Sequence, residues 1–207
     1  MQEKLKSLVV WDLETTGFVE DADARIIEIG AMEIRDGEVV ATHKWILNHG
    51  IEIPAKITEI TGITKEDIDR EGVDPKTALD EFLTVLLRSD HNLTHNGFRF
   101  DIPFLEKQLA ALTGWEHDVS HYRKALEAGG VDSAVMYKAR KLGLTQGAEE
   151  SFKQFADRVM EIRAFGVKYN VGICCDELGI DRSNVTQHRA DADVYLTAEI
   201  FKKLASV

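Results

Sequence analysis

Leu8-Val9-Val10-Trp11-Asp12-Leu13-Glu14-Thr15-Thr16-Gly17 opens with four apolar residues and then sets two acids on either side of a leucine. A short unbroken apolar run is what a strand covered on both faces requires. Residues two apart on a strand point to the same side. Asp12 and Glu14, at the end of the Leu8 to Trp11 run, therefore face one spot. Two carboxylates that close resist joint ionisation. A divalent cation removes the conflict by taking both as ligands, and oxygen donors suit Mg²⁺ or Mn²⁺. Taken alone, the same residues also describe an ordinary acidic turn after a strand.

Downstream, residues 25–34 and 38–47 are β-rich and joined through Asp36-Gly37, a hairpin signal. Helical patterns then take over. A short one is expected from Pro54 to Ile60, and Thr64 with Asp67 resembles a capping box. Asp74-Pro75 caps and opens a helix whose Leu79, Phe82, Leu83, Leu86 and Leu87 share a face. Residues 91–95 make a weak strand, and Ile102, Leu105, Leu109 and Leu112 a further helical stripe. Residues 115–131 read as an insertion ending in the breaker Gly129-Gly130. Helices are expected at 132–142, 150–163 and 171–178, and Ala190, Val194, Phe201 and Leu204 mark the last. Strands first, then helices with one strand among them, predict a mixed three-layer α/β domain.

Two more segments carry chemistry. In His95-Asn96-Gly97-Phe98-Arg99-Phe100-Asp101-Ile102-Pro103, Asp101 precedes a helix opened by Pro103, where an N-cap role competes with a site role. In Gln187-His188-Arg189-Ala190-Asp191-Ala192-Asp193, His188 and Asp193 are five positions apart. That is about 140° out of line on a regular helix, so His188 belongs at the start of the helix rather than within it. Spacing alone does not choose between Asp191 and Asp193 as a ligand; Asp191 also suits a helix first turn.

Bulk properties bound the remaining classes. The chain has 207 residues, 44% hydrophobic and 29% charged, which predicts one folded domain with a sizeable core. No stretch is apolar enough to span a bilayer, so no membrane role is expected. Residues 1–6 lack the apolar core of a secretory signal, and the two cysteines, Cys174 and Cys175, are adjacent and read as helix core. A cytoplasmic protein is expected. The net charge of −11 argues against a polyanionic partner unless cations or a local basic groove intervene. Lys138, Arg140 and Lys141 are the best local basic patch, with a solvated helix face as the plainer reading. His117 and His121 have a zinc-compatible spacing, but no third ligand stands near them.

Asp12-Leu-Glu-Thr-Thr-Gly, His95-Asn-Gly-x-x-Phe-Asp and His188-x-x-x-x-Asp193 together resemble the three motifs of the DEDDh, or DnaQ-like, exonucleases, in the family's order and spacing. That family includes polymerase proofreading subunits, oligoribonucleases, RNase T and the Trex enzymes. Ile60-Thr61-Gly62-Ile63-Thr64 resembles a segment that packs on the terminal nucleotide there. The resemblance covers about 190 residues, from Ser7 to the last helix, and 115–131 has no clear counterpart in it. It implies an RNase H-like fold with a five-stranded mixed sheet flanked by helices. It implies that Asp12, Glu14, Asp101 and Asp193 bind two Mg²⁺ (or Mn²⁺) ions and that His188 is the general base. Thr15, Thr16, Gly17, Phe18, Ile63, Asn96 and Phe100 become the candidate substrate contacts, with Phe18 and Ile63 packing on the terminal base.

The resemblance thus implies a 3′-to-5′ exonuclease releasing nucleoside 5′-monophosphates, with nucleic-acid 3′ ends as partner and a polymerase as a candidate second partner. DNA is favoured over RNA by analogy with the DNA-degrading branches. The alternatives are an exoribonuclease trimming short or structured RNA and a catalytically idle module that binds ends or a polymerase. Substrates with and without a 2′-hydroxyl separate the first, and metal-dependent release of mononucleotides the second.

Overall fold

The computed structural model describes residues 6–112, 119–183, 185 and 188–206. In chain order the elements are β1 (Ser7–Thr15), β2 (Ile26–Arg35), β3 (Glu38–Ile46), α1 (Ala55–Thr61), α2 (Lys65–Glu71), α3 (Pro75–Leu86), β4 (His91–Thr94), α4 (Asp101–Ala111), α5 (Val119–Ala128), β5 (Gly130–Asp132), α6 (Ser133–Leu142), α7 (Phe152–Glu161), α8 (Val171–Leu178) and α9 (Ala190–Ala205). The strands form one five-stranded sheet in the order β3-β2-β1-β4-β5. β1, β2 and β3 are antiparallel neighbours, while β4 runs parallel to β1 and β5 parallel to β4. This is the mixed α/β, RNase H-like arrangement expected.

Local chemistry explains several boundaries. Asp36 and Gly37 both take positive φ, as a tight primed hairpin turn demands. Thr64 and Asp67 form the reciprocal capping box, and Asp74 caps α3 with Pro75 in its first turn. Ser151 and Gln154 make a second capping box at the start of α7, which lies within the expected helix at 150–163. Residues 119–131, expected as part of an insertion, supply α5 and the first two residues of edge strand β5.

The sheet is covered on both sides. Val9, Trp11 and Leu13 of β1 pack into a core with α3 and α4, where Trp11 lies against Phe82 at 5.4 Å and its Nε1 donates to Asn92 Oδ1. Leu8 and Val10 point the other way, beneath Val194, Ala198 and Phe201 of α9. Strand alternation therefore places Asp12 and Glu14 in the row that faces α9. Cys174 and Cys175 are free, buried and packed between α8 and α9, as expected of helix core. Among the described residues no helix is long and apolar enough to cross a membrane.

Candidate active site

β1 continues through Asp12 and Glu14 to Thr15, so the two acids lie within the strand rather than past its end. Across the ladder Asp12 stands opposite Gly30, and Glu14 opposite Glu28. The even row of β1 is apolar beneath the body of α9 and turns acidic near its first turn. Asp193 lies in that turn, 7% exposed. Its Oδ2 accepts the His188 backbone N–H at 3.0 Å. Its Oδ1 is buried and has no hydrogen-bond partner among the described residues. His188 is exposed and holds a left-handed backbone, φ 63°, two residues ahead of the helix. One ligand atom from each of Glu14, His188 and Asp193 lies within 4.8 Å of the others.

Asp101 comes from the other side of the sheet's end. It is the first residue of α4 and 3% exposed, and it does not cap its helix. Instead its Oδ1 accepts the Leu13 N–H at 3.2 Å, which ties α4 to β1 between the two acids. Burial, and then the charges of Asp101, Glu14 and Asp193, hold Asp12 well above the usual carboxylate range. Burial and the Asp193 charge push Glu14 up to about 8, with Arg189 opposing. Burial and Asp132 push Asp101 up to about 7. Burial also raises Asp193, against the His188 N–H. Four carboxylates packed where none ionises freely form a site that a cation suits, because it repays both desolvation and repulsion. The unpartnered Asp193 oxygen and a donor set of carboxylate oxygens, with one imidazole nitrogen beside it, fit Mg²⁺ or Mn²⁺.

Asp191 and Asp193 are distinguished by their surroundings. Asp191 is exposed, pairs with Lys44 at 3.4 Å and accepts the Ala192 N–H, whereas Asp193 is buried in the cluster. What holds the start of α9 is Glu28, fully buried, whose carboxylate takes the Arg189 guanidinium at 2.7 Å and the Ala190 N–H at 2.8 Å. Arg189, at the N-cap position, makes no cap of its own; Glu28 supplies one from β2. Sequence reading missed Glu28, although one charge inside Ile26-Ile27-Glu28-Ile29 was the available signal. It also missed Asp132, fully buried, which caps α6 and accepts the Asn96 N–H at 2.8 Å, fixing the loop before Asp101.

The candidate substrate residues divide. Phe18 is 69% exposed, so it is no core aromatic. Thr15 is buried and donates to Gly17 O, and Thr16 Oγ1 accepts the Arg25 N–H; these bonds brace the loop that carries Phe18. At Gly17 a Cβ would meet Asp21 Oδ2 at 2.7 Å, and that same carboxylate oxygen accepts the Phe18 N–H. Asn96 adopts φ 67° with its Oδ1 buried and unpartnered among the described residues, and it lines a cleft of about 780 Å³ shared with His188 and Asp193. Phe100 is half-buried against Phe104. Ile63 departs from expectation: it is fully buried with Ile27, Ile46 and Ile68, and offers no surface to a base, while Ile60 of the same segment is exposed. Lys138 also departs, since it is buried with its ammonium on the carbonyls of Met160 and Ile162, and Lys141 pairs with Glu177. His117 lies outside the described residues.

A family model described as Exonuclease (RNase_T) matches residues 9–150. The chain is 38% identical over 104 residues to the PolC-type DNA polymerase III of Clostridium perfringens, covering 49% of this chain and 7% of that protein. It is 28% identical over 198 residues to the DNA polymerase III subunit epsilon of Rickettsia conorii, covering 95% of this chain and 72% of that one. Its fold is similar to that of E. coli exonuclease I in complex with a dA16 oligonucleotide, with TM-score 0.68 at 17% identity, covering 97% of this chain and 41% of that one. The chain thus spans less than a tenth of the length of the PolC-type relative. By the match over residues 9–150, the chain belongs to the RNase_T exonuclease family.

Proposed function

We propose that this exonuclease is metal-dependent and works from the 3′ end of single-stranded or frayed DNA, releasing nucleoside 5′-monophosphates. The observation that carries the reading is the meeting of Glu14, His188 and Asp193 within 4.8 Å, with one Asp193 oxygen left without a partner among the described residues. The relative named as a polymerase III subunit epsilon, and the fold's likeness to an exonuclease bound to a DNA oligonucleotide, support DNA as substrate and a polymerase as partner. Residues 1–207 would act as a single exonuclease domain in the cytoplasm, with 115–131 as an elaboration.

Asp12, Glu14, Asp101 and Asp193 would hold two Mg²⁺ (or Mn²⁺) ions. Bound there, the ions would supply activation of a water and stabilisation of the departing 3′ oxygen in an in-line displacement. His188 takes the proton that the water gives up as its oxygen bonds to phosphorus and the bond to the 3′ oxygen breaks. The left-handed His188 backbone and its N–H bond to Asp193 fix the imidazole beside the cluster. Phe18, with its ring in solvent, stacks on the terminal base, and Asn96 lines the cleft that holds His188 and Asp193.

The test is a matched set of strands: linear and circular single-stranded DNA and a linear RNA, each with Mg²⁺ or with EDTA. Linear DNA should shorten from its 3′ end with Mg²⁺ and not with EDTA, and the circle should survive. Asp193→Asn should abolish turnover at unchanged fold. Nicking of the circle, or full activity of that variant, would sink the reading.

A further inference from the structure

Between α7 and α8 the chain makes a short arm whose tip is built to show one side chain. Val167 N donates to Ala164 O, closing a turn, and Gly166 at the third position has φ 82°. Glycine suits that position because a side chain there is strained. The residue before it is Phe165, and its ring is completely exposed, at 101%. The arm's base is fixed. Lys138 holds Ile162 O at 2.8 Å, His95 Nε2 donates to Tyr169 O at 2.6 Å, and the Asn170 side chain caps α8. Because a carbonyl only accepts, the Nε2 of His95 carries a proton; burial lowers its pKa, which suits a neutral ring.

The same arm borders the active-site opening. Val167, Lys168, Tyr169 and Asn170 line the 780 Å³ cleft together with Asn96, His188 and Asp193. Arg182 and Asp176 in the same lining neutralise each other at 2.9 Å. Arg163 and Lys168 are exposed and make no ion pair among the described residues. An aromatic ring in water between two unpaired cations, beside a cleft that leads from the acidic cluster, matches the demands of a single strand. Bases stack on aromatic faces whatever the sequence, and cations follow the backbone. In a chain of net charge −11, such cations also offset repulsion of the polyanion where it passes.

We propose that residues 163–170 form an upstream binding site for single-stranded nucleic acid, with Phe165 as the stacking platform for a base and Arg163 and Lys168 as phosphate contacts. This rests on the exonuclease reading, because the strand is the one whose 3′ end lies at Asp193. The arm holds nucleotides upstream of the bond being cut, so its contribution appears only with strands long enough to reach it.

Fluorescence anisotropy of the full chain, with Ca²⁺ in place of Mg²⁺, measures this without turnover. The probes are a labelled oligothymidylate of about twelve nucleotides, within the usual site size for single-strand binders, and a labelled thymidine dinucleotide. Phe165→Ala should weaken the long probe about tenfold, inside the ~5- to ~150-fold range for one stacked base, and shift the dinucleotide far less. Phe165→Trp should bind the long probe as the wild type does. Arg163→Gln with Lys168→Gln should flatten the salt dependence by a slope of about 1.4, the value for two phosphates on a single strand. Unchanged affinity of Phe165→Ala for the long probe would overturn the proposal, as would an equal loss for both probes. Cleavage of linear DNA with Mg²⁺, measured in parallel, reports on the exonuclease reading separately.

Discussion

Gly30 stands opposite Asp12 in the β1–β2 ladder, and the backbone of Ala190 lies directly over it: a Cβ on Gly30 would come within 2.4 Å of the Ala190 carbonyl carbon. No side chain can occupy that space unless α9 moves, because the opposing atoms are backbone. The approach seats the first turn of α9, with Asp193, over the acidic row of β1. Gly30→Ala should therefore cost ~1–3 kcal/mol of stability, the usual scale of overpacking. It should lower activity further than that loss explains, since the helix carries Asp193, a proposed ligand, with it. Urea unfolding and a nuclease assay below the unfolding midpoint check both; wild-type values in each would show that the helix is not held by this contact.

Glu28 and Arg189 fasten the same helix through charge. Glu28 is fully buried and Arg189 about a quarter exposed, with contacts at 2.7, 3.1 and 3.2 Å. Without Arg189 the buried Glu28 carboxylate keeps, among the described residues, only Lys44, at 3.5 Å, and the Ala190 N–H. Arg189→Met should cost ~1.5–3 kcal/mol, the scale of hydrogen bonds lost from a charged group, and Arg189→Met with Glu28→Met should recover part of it. Chemical denaturation of the three proteins decides the point. If the double variant were no more stable than the single, the loss would come from packing rather than from a carboxylate left with Lys44 as its one cation.

The apolar run of β1, the capping residues of α2 and α3, and the Asp36-Gly37 turn were legible in the sequence because each depends on neighbours a few positions away. The catalytic candidates were legible through a resemblance, since Asp12, Asp101 and Asp193 meet only through the sheet. Glu28 and Asp132 escaped notice for the same reason: their partners, Arg189 and Asn96, are far away along the chain. Ile63 misled because its segment has apolar residues on two sides, and only packing against Ile27 and Ile46 shows which goes inward. Lys138 looked like a free cation until the carbonyl ends of α7 gave it partners.

The acidic cluster sets a pH dependence of stability. Glu14 and Asp101 sit at about 8 and about 7, and Asp12 and Asp193 are raised in the same direction. Folding therefore favours their protonated forms. The stability this contributes is complete below the ordinary carboxylate range, near 4, and is lost as pH rises through the folded-state values. In EDTA the melting temperature should fall between about pH 5 and about pH 8. Mn²⁺ should restore it most at the alkaline end, because the ligands bind deprotonated. Thermal melts with and without the ion give the answer; a melting temperature in EDTA that rises steadily across that window would remove the basis for the shifts.

His188 separates chemistry from folding better than the carboxylates do. Its side chain is exposed, so substitution should leave stability within about 0.5 kcal/mol. Its backbone is left-handed, φ 63°, a region that asparagine adopts readily, so His188→Asn keeps the loop geometry and the N–H bond to Asp193. What it removes is the imidazole proposed to accept the proton from water. Activity should fall at least ~100-fold, the scale of general-base removal. The fall should lie in kcat, with the affinity for strands in Ca²⁺ little changed, because the cleft wall and the carboxylates remain. A variant that kept most of its kcat would place the base elsewhere. The opposite result, wild-type kcat with weakened strand binding, would make His188 a substrate contact instead.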